Sequence, residues 1–328
     1  MVIGKSTDGL MKSLRTKGIH ISGSKGKKEL LKMGYYHGYK GYRFIKRGNS
    51  NINLNYTNFE QLHSVYNFDM KVKTIFYPLI MSIETALKNY TLESIISYGN
   101  GNVDLEYAFE NYLIDYKSVQ TGDRQHSGKV KDFLKLKKVI HNEISLKYSR
   151  NQSITHFINN KDFMPLWAVL EILDMGKFGM FLKCLKSDIG LLNCTKLNLV
   201  HGGIQTNYQL IPNIIFTLKD LRNAVAHNNI IFDCRFNNTN TNVSNVVKSY
   251  VQVETNIQHI DFGFLIDYFI LIMLLSKKIG MSKTEMKKII RDFREETLIL
   301  KNSVTQSIYD RIVGTHIVNK LNQLENYV

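Results

Sequence analysis

Arg222 and His227 stand five residues apart in the run Leu218-Lys219-Asp220-Leu221-Arg222-Asn223-Ala224-Val225-Ala226-His227-Asn228-Asn229. Arginine is a permanent planar cation whose donors match phosphate oxygens. Histidine is the side chain that gives or takes a proton near neutral pH. Together they supply the needs of RNA cleavage at its own ribose: activation of a 2′-hydroxyl, charge stabilisation on the phosphate and a proton for the leaving oxygen. The bare R-x4-H spacing is weak, because a surface arginine followed by a helix-terminal histidine has the same pattern. The element that must carry the pair is a helix, since Leu218, Leu221 and Val225 recur at helical spacing and face a core. Five residues turn about 140° around such a helix, an arc that the long arginine side chain can bridge. Arg222, Asn223 and His227 then border one pocket at the helix surface, especially where two such helices meet.

A chain of 328 residues holds one large domain or two modest ones. Cys184, Cys194 and Cys234 are scattered without ligand-like spacing. That argues against a disulfide framework or a zinc site, so neither metal nor cofactor is expected. The first residues lead into a lysine-rich polar segment rather than an apolar leader. The longest apolar run, residues 262–275, is interrupted by Asp267 and is too short to span a bilayer. It reads as a buried helix, with no membrane partner and a cytoplasmic location expected.

The formal net charge of +15 is unevenly placed. Residues 1–50 carry twelve lysines and arginines against Asp8 and Glu29, and residues 129–150 carry seven against Asp132 and Glu143. These two segments hold the whole excess, which points to a polyanionic partner. The alternative is two solvated faces.

In chain order, residues 11–17 and 24–33 read as short helices, the first closed by Gly18 and the second opened by Ser24. The run Met33-Gly34-Tyr35-Tyr36-His37-Gly38-Tyr39-Lys40-Gly41-Tyr42-Arg43-Phe44 follows. Its glycines permit close backbone approach, its rings can stack on bases, and its cations can follow phosphates. A tyrosine-rich turn packed in the core fits the same residues. The candidate RNA-binding set is Lys25, Lys27, Lys28, Lys32, Tyr35, Tyr36, Tyr39, Lys40, Tyr42, Arg43, Lys46 and Arg47, joined by Lys131, Lys135 and Lys138 of the second basic segment. A long helix is predicted over 69–98, kinked by Pro78. Glu84 on it is either an ordinary exposed acid or a group that orients a cation at the site. Further helices are expected over 104–116, 129–150, from 165 to 185 with a break near Gly176, and over 210–227 with an interruption near Pro212. Residues 237–245 read as an Asn/Thr-rich loop, and 262–279, 283–302 and 305–326 as three C-terminal helices. No phosphate-loop or dinucleotide fingerprint is present. The class is mainly α.

Arg222-Asn223-Ala224-Val225-Ala226-His227 resembles the R-N-x-x-A-H signature of HEPN ribonucleases. More specifically, the chain resembles the Abi-like abortive infection proteins of bacteria, the AbiD/AbiF group. Supporting blocks occur in order: residues 14–21 with 31–42 are similar to the family's opening, and 59–69 with Ile83-Glu84 to its "Y-x-F-D … I-E" block. Pro165-Leu166-Trp167 with residues 171–176 is similar to its "P-I-W … E-x-L-x-x-G" block. The match covers roughly residues 10–235. His37 and Lys88 stand where relatives often have arginine, and Ile230-Ile231 replaces a frequent Arg-Leu.

The resemblance implies a HEPN-type helical bundle, here with a basic N-terminal extension. Residues 1–68 would form a Tyr/Gly-rich RNA-binding region and residues 69–328 the HEPN-like domain. It implies a metal-independent endoribonuclease acting as a toxin in phage defence, with Arg222 on the scissile phosphate, His227 transferring protons and Asn223 holding the geometry. HEPN sites are composite, so one signature per chain implies a homodimer, and a small structured non-coding RNA is the implied controlling partner. The alternatives are a non-catalytic, RNA-binding dimeric scaffold and a HEPN partner of a nucleotidyltransferase.

Overall fold

The computed structural model describes residues 5–47, 50–160, 163–200, 207–237 and 243–328, without the side chains of residues 36 and 37. Among the described residues the chain is mainly helical, with a single two-stranded sheet. Side-chain caps explain where many helices start. In α1 (Thr7–Thr16) the Ser6 hydroxyl accepts from the Gly9 N–H at 3.2 Å. After α2 (Gly23–Met33) the chain tightens into a π-helical segment, Gly34–Lys40, and then an antiparallel hairpin of β1 (Phe44–Arg47) and β2 (Ser50–Asn53), registered Phe44 to Asn53. Helix α3 (Phe59–Tyr98) starts ten residues before its predicted position, because the Asn58 side chain accepts from the Gln61 N–H at 2.9 Å. It continues through Pro78.

The predicted 104–116 helix resolves into α4 (Leu105–Asn111), capped by Asp104, and a separate 3₁₀ turn, Asp115–Ser118. Helix α5 (Arg124–Lys147) begins before the predicted residue 129, where Asp123 caps it, accepting from the Gln125 N–H at 2.6 Å. A short α6 (Gln152–Asn159) follows. The break expected near Gly176 falls between α7 (Leu166–Ile172) and α8 (Met175–Cys184), where the Asp174 carboxylate caps the Lys177 N–H at 2.9 Å. After α9 (Ser187–Lys196), α10 (Leu210–Ala226) runs without interruption. Pro212 lies in its first turn, where backbone N–H groups have no helical acceptor in any case. The predicted loop at 237–245 lies largely outside the described residues, and α11 (Asn245–Thr255) follows it. The C-terminal helices are α12 (Leu265–Lys278), α13 (Lys283–Ser303), α14 (Gln306–Val313) and α15 (Ile317–Tyr327). The predicted 305–326 helix is split because Gly314 turns left-handed at φ 82°.

The chain divides into two compact units. The first joins Met1–Ile80, Asp220–Val243 and Thr255–Val328, so residues 1–68 share a unit with the C-terminal helices. At its centre Phe76, Phe269 and Phe293 stack mutually, with ring centroids 4.3–6.0 Å apart. Helix α12 is buried from Leu265 to Ser276, as the apolar run predicts. Among the described residues no helix is long and apolar enough to cross a membrane. Asp267 on this helix is buried but bonded, to Lys320 at 2.6 Å and to the backbone N–H groups of Asp261 and Phe262. Burial pushes its carboxyl up to about 6 against the pull of Lys320. The second unit, Met81–Lys219 with Ser244–Glu254, packs α5 against α7 and α8. Asn193 donates to the Thr91 hydroxyl at 2.8 Å in its interior.

The first unit is also fixed by a polar network centred on Asp69, which is fully buried in α3. One carboxylate oxygen accepts from the backbone N–H groups of Ile231 and Phe232 at 2.9 and 2.7 Å. The other accepts from the Tyr42 hydroxyl at 2.7 Å and faces the Lys73 ammonium at 2.6 Å. Lys73 in turn donates to the Asn228 side chain at 3.0 Å. One carboxylate thus satisfies two N–H groups in the turn that follows α10 and the hydroxyl of the tyrosine-rich segment.

Asp69→Ala should therefore destabilise the protein by about 3–5 kcal/mol in urea unfolding, because a buried cation and two buried N–H groups lose their acceptor. Asp69→Asn should cost less, and an alanine variant as stable as the parent would mean the network is not cooperative. Lys320→Met leaves Asp267 with a raised folded pKa and no cation. A carboxyl raised on folding contributes stability that is lost as pH rises through the folded value. The variant's deficit should thus be larger at pH 8 than at pH 5, whereas an equal deficit at both would deny Lys320 that role.

Candidate active site

Helix α10 ends in a pattern of bonds that fixes His227. The His227 N–H still makes the helical bond to the Asn223 carbonyl at 3.0 Å. Asn228 then adopts φ 54°, its N–H reaching the Val225 carbonyl at 3.2 Å, while Asn229 N–H reaches Ala224 at 2.7 Å. This crossed pair is a Schellman termination, with asparagine in the left-handed position that usually takes glycine. Lys73 holds the Asn228 side chain and Asp69 holds the N–H groups of Ile231 and Phe232, so the chain that leaves His227 is anchored. The imidazole itself is exposed. Arg222, one turn back, is half-buried, and its Nη1 donates to the Asn223 side-chain oxygen at 3.4 Å. The result is an exposed imidazole at a capped helix end, on the same helix as a guanidinium that an amide steers.

The bare spacing occurs three times in the chain, also at Arg15/His20 and Arg311/His316. Those two pairs lie across Gly18 and Gly314, which turn left-handed at φ 77° and 82° and end helices α1 and α14 between the arginine and the histidine. Arg15 is spent on the Ile21 carbonyl at 2.8 Å, and Arg311 donates to the Asn53 carbonyl at 3.2 Å. Only Arg222 and His227 keep the helical bond pattern from one residue to the other. Among the described residues no group of three His, Cys, Asp or Glu is placed to hold a metal ion. All three cysteines are buried, and burial pushes the thiols of Cys184 and Cys194 up to about 12 and that of Cys234 well above the usual range.

Glu84 is not an exposed acid. It is buried in the second unit and paired at 3.3 Å with Lys88, which also donates to the Leu173 carbonyl at 2.6 Å. The tyrosine-rich segment divides. Tyr42 and Tyr39 are 0% and 2% exposed, so in this fold they serve as core, and Tyr42 stacks on Phe232 at 5.5 Å. Gly41 allows close approach to Ile230, whose side chain a Cβ would hit, so here the close approach is to the protein itself. Tyr35 is half-buried with Lys40 5.5 Å from its ring, while the side chain of Tyr36 lies outside the described residues. Arg47 is half-buried and committed to the protein itself, donating to the carbonyls of Asp233 and Gly263 and lying 4.7 Å over the Phe264 ring. Lys27 pairs with Asp8 and Lys32 with Glu29. Lys25, Lys28, Arg43 and Lys46 are exposed, as are Lys131, Lys135 and Lys138, which follow one face of α5 at i, i+4 and i+7.

Several positioning residues escape the sequence reading. Asp69 and Lys73 fall on the same face of α3 as Val72 and Phe76, and polar residues at i, i+4 inside an apolar stripe are the available signal. Asp233 and Arg235 form a second clamp, with Asp233 accepting from the Lys46 backbone N–H at 2.7 Å and Arg235 donating to the Phe44 carbonyl at 2.9 Å. That link joins the exit of α10 to β1, and nothing local announces a partner 190 residues away.

No curated protein and no solved structure matches this chain. A family model described as Abi-like protein matches residues 28–233, which spans the Tyr/Gly segment, the Asp69 network, Arg222 and His227. That family suggests abortive infection, the defence of bacteria against phage. With well over half its length matched, the chain belongs to the Abi-like protein family.

Proposed function

We propose that this protein is a metal-independent endoribonuclease of the HEPN type, a toxin of abortive infection bound and controlled by a small structured non-coding RNA. The carrying observation is the helix end, where Arg222, Asn223 and an exposed His227 share one unbroken helical stretch that an anchored cap terminates. In a homodimer two such ends face one phosphate. One His227 imidazole removes the 2′-hydroxyl proton, and the oxygen attacks phosphorus to form a 2′,3′-cyclic phosphate. The 5′-oxygen leaves with a proton from the other imidazole, and the Arg222 guanidinia hold the charge that develops on the phosphoryl oxygens. Exposed cations of the N-terminal region and of α5 carry the longer RNA contacts, in keeping with the localised excess of charge.

The test is incubation of the purified protein with mixed RNA, with and without EDTA. Cleavage should persist in EDTA and give 2′,3′-cyclic phosphate and 5′-hydroxyl ends. Arg222→Ala and His227→Ala should each abolish cleavage and toxicity. His227 lies at the surface, so its replacement should shift stability by less than about 0.5 kcal/mol, and for activity the double variant should be no worse than either single. Cleavage by the double variant would move the site elsewhere. RNA bound by a dimer but never cut would favour the scaffold alternative, and dependence on Mg²⁺ would end the proposed chemistry.

A further inference from the structure

The first unit contains a polar cavity of about 210 Å³ lined by Lys17, Ile19, Tyr39, Arg43, Asn53, Asn55 and Tyr56. Two cations and two amides face it, and no carboxylate does. Among the described residues neither Lys17 nor Arg43 makes an ion pair. Instead, the Lys17 ammonium lies 5.3 Å from the Tyr39 ring and 5.9 Å from Tyr35, and donates to the Tyr35 hydroxyl at 3.3 Å. Lys40 lies over the other ring of that pair, 5.5 Å from Tyr35. Gathering cations at one place raises their mutual repulsion, and a bound anion relieves it.

The walls are built rather than incidental. Lys17 ends α1 where Gly18 turns the chain, and the Tyr39 ring comes from the π-helical segment, a helical form often found at functional positions. Tyr56 is fixed as a floor by its hydroxyl bond to the Tyr42 carbonyl at 2.8 Å. Asn53 projects from the end of β2, where Arg311 holds its carbonyl, and Asn55 is presented by a left-handed turn at φ 50°. Asparagine amides both donate and accept, which suits ribose hydroxyls and base edges, whereas the cations suit phosphate.

We propose that this cavity is a nucleotide-unit site, with phosphate bound by Lys17 and Arg43 and the sugar or base edge met by Asn53 and Asn55. It deepens the ribonuclease reading by giving the RNA a fixed holding point apart from the Arg222/His227 helix end, and for RNA as its ligand it rests on that reading. A free nucleoside monophosphate has the same chemistry, and the two sources are separable.

The experiment measures fluorescence anisotropy of a labelled single-stranded RNA 12-mer on the full-length His227→Ala protein, with adenosine monophosphate as competitor. Adding Lys17→Gln or Arg43→Gln should each weaken binding about tenfold and flatten the log-log salt slope by about 0.7 per lost contact. Asn53→Ala should weaken binding with the slope unchanged. Lys287→Gln, which removes an equal charge on α13, sets the baseline, and thermal melts confirm that each variant is folded. If Lys17→Gln and Arg43→Gln each match the Lys287→Gln baseline in affinity and slope for RNA, and adenosine monophosphate binding is equally unaffected, the site is overturned. If only adenosine monophosphate binding depends on the two cations, the ligand is the free nucleotide rather than a strand. RNA cleavage by the parent protein is scored separately, so loss of this site and loss of the ribonuclease activity give different results.

Discussion

A carboxylate taken wholly out of water must be met by donors on nearly every side, and Asp69 is met in this way by Tyr42, Lys73, Ile231 and Phe232. The first unit is organised by that requirement. Its donors come from three stretches far apart in sequence, and none can move without leaving a buried charge exposed to an apolar interior. The exit from α10 is therefore fixed in space, and with it the histidine that precedes the exit by a few residues. Lys73 and Asn228 extend the same network to the left-handed residue of the helix cap.

The basic N-terminal region contains two kinds of residue that its composition alone does not separate. Some of its residues brace the helix end: Tyr42 through Asp69, Gly41 by admitting Ile230, and Arg47 with the Lys46 backbone through the 233–235 turn. The remaining cations face solvent. Tyr42 is buried and Arg47 half-buried because their polar tips find fixed partners, while Lys25, Lys28 and Arg43 keep their heads in water. Solvent-facing cations and residues that brace the helix end thus alternate within one segment, so under the proposed RNA control a contact to those cations would bear directly on the helix end.

Rigidity at the helix end also bears on chemistry. Proton transfer demands that the base sit within hydrogen-bond reach of its target, and a loosely hinged histidine would lose that geometry. Here the helix precedes His227 and the anchored cap follows it, while the imidazole stays at the surface. The left-handed asparagine that closes the helix takes the position without a glycine, and its amide oxygen supplies the acceptor that Lys73 requires.

The sequence by itself determined the mainly helical class, the long α3, the fully buried α12 and the family, because periodic apolar residues and ordered motifs are local properties of the chain. It also singled out Arg222, Asn223 and His227 as a group. Spacing alone was not enough to rank the three R-x4-H pairs, since the difference is backbone handedness at Gly18 and Gly314 within the other two. Only the tertiary structure decided that Tyr39 and Tyr42 are core, that Arg47 is bonded to backbone carbonyls, and that Glu84 is buried against Lys88. It alone revealed Asp69, Asp233 and Arg235 as the residues that fix the helix end. The reason is physical: a tyrosine, arginine or aspartate reads the same whether water or a distant backbone group satisfies it, and for Arg47 that choice is made by a residue 216 positions away.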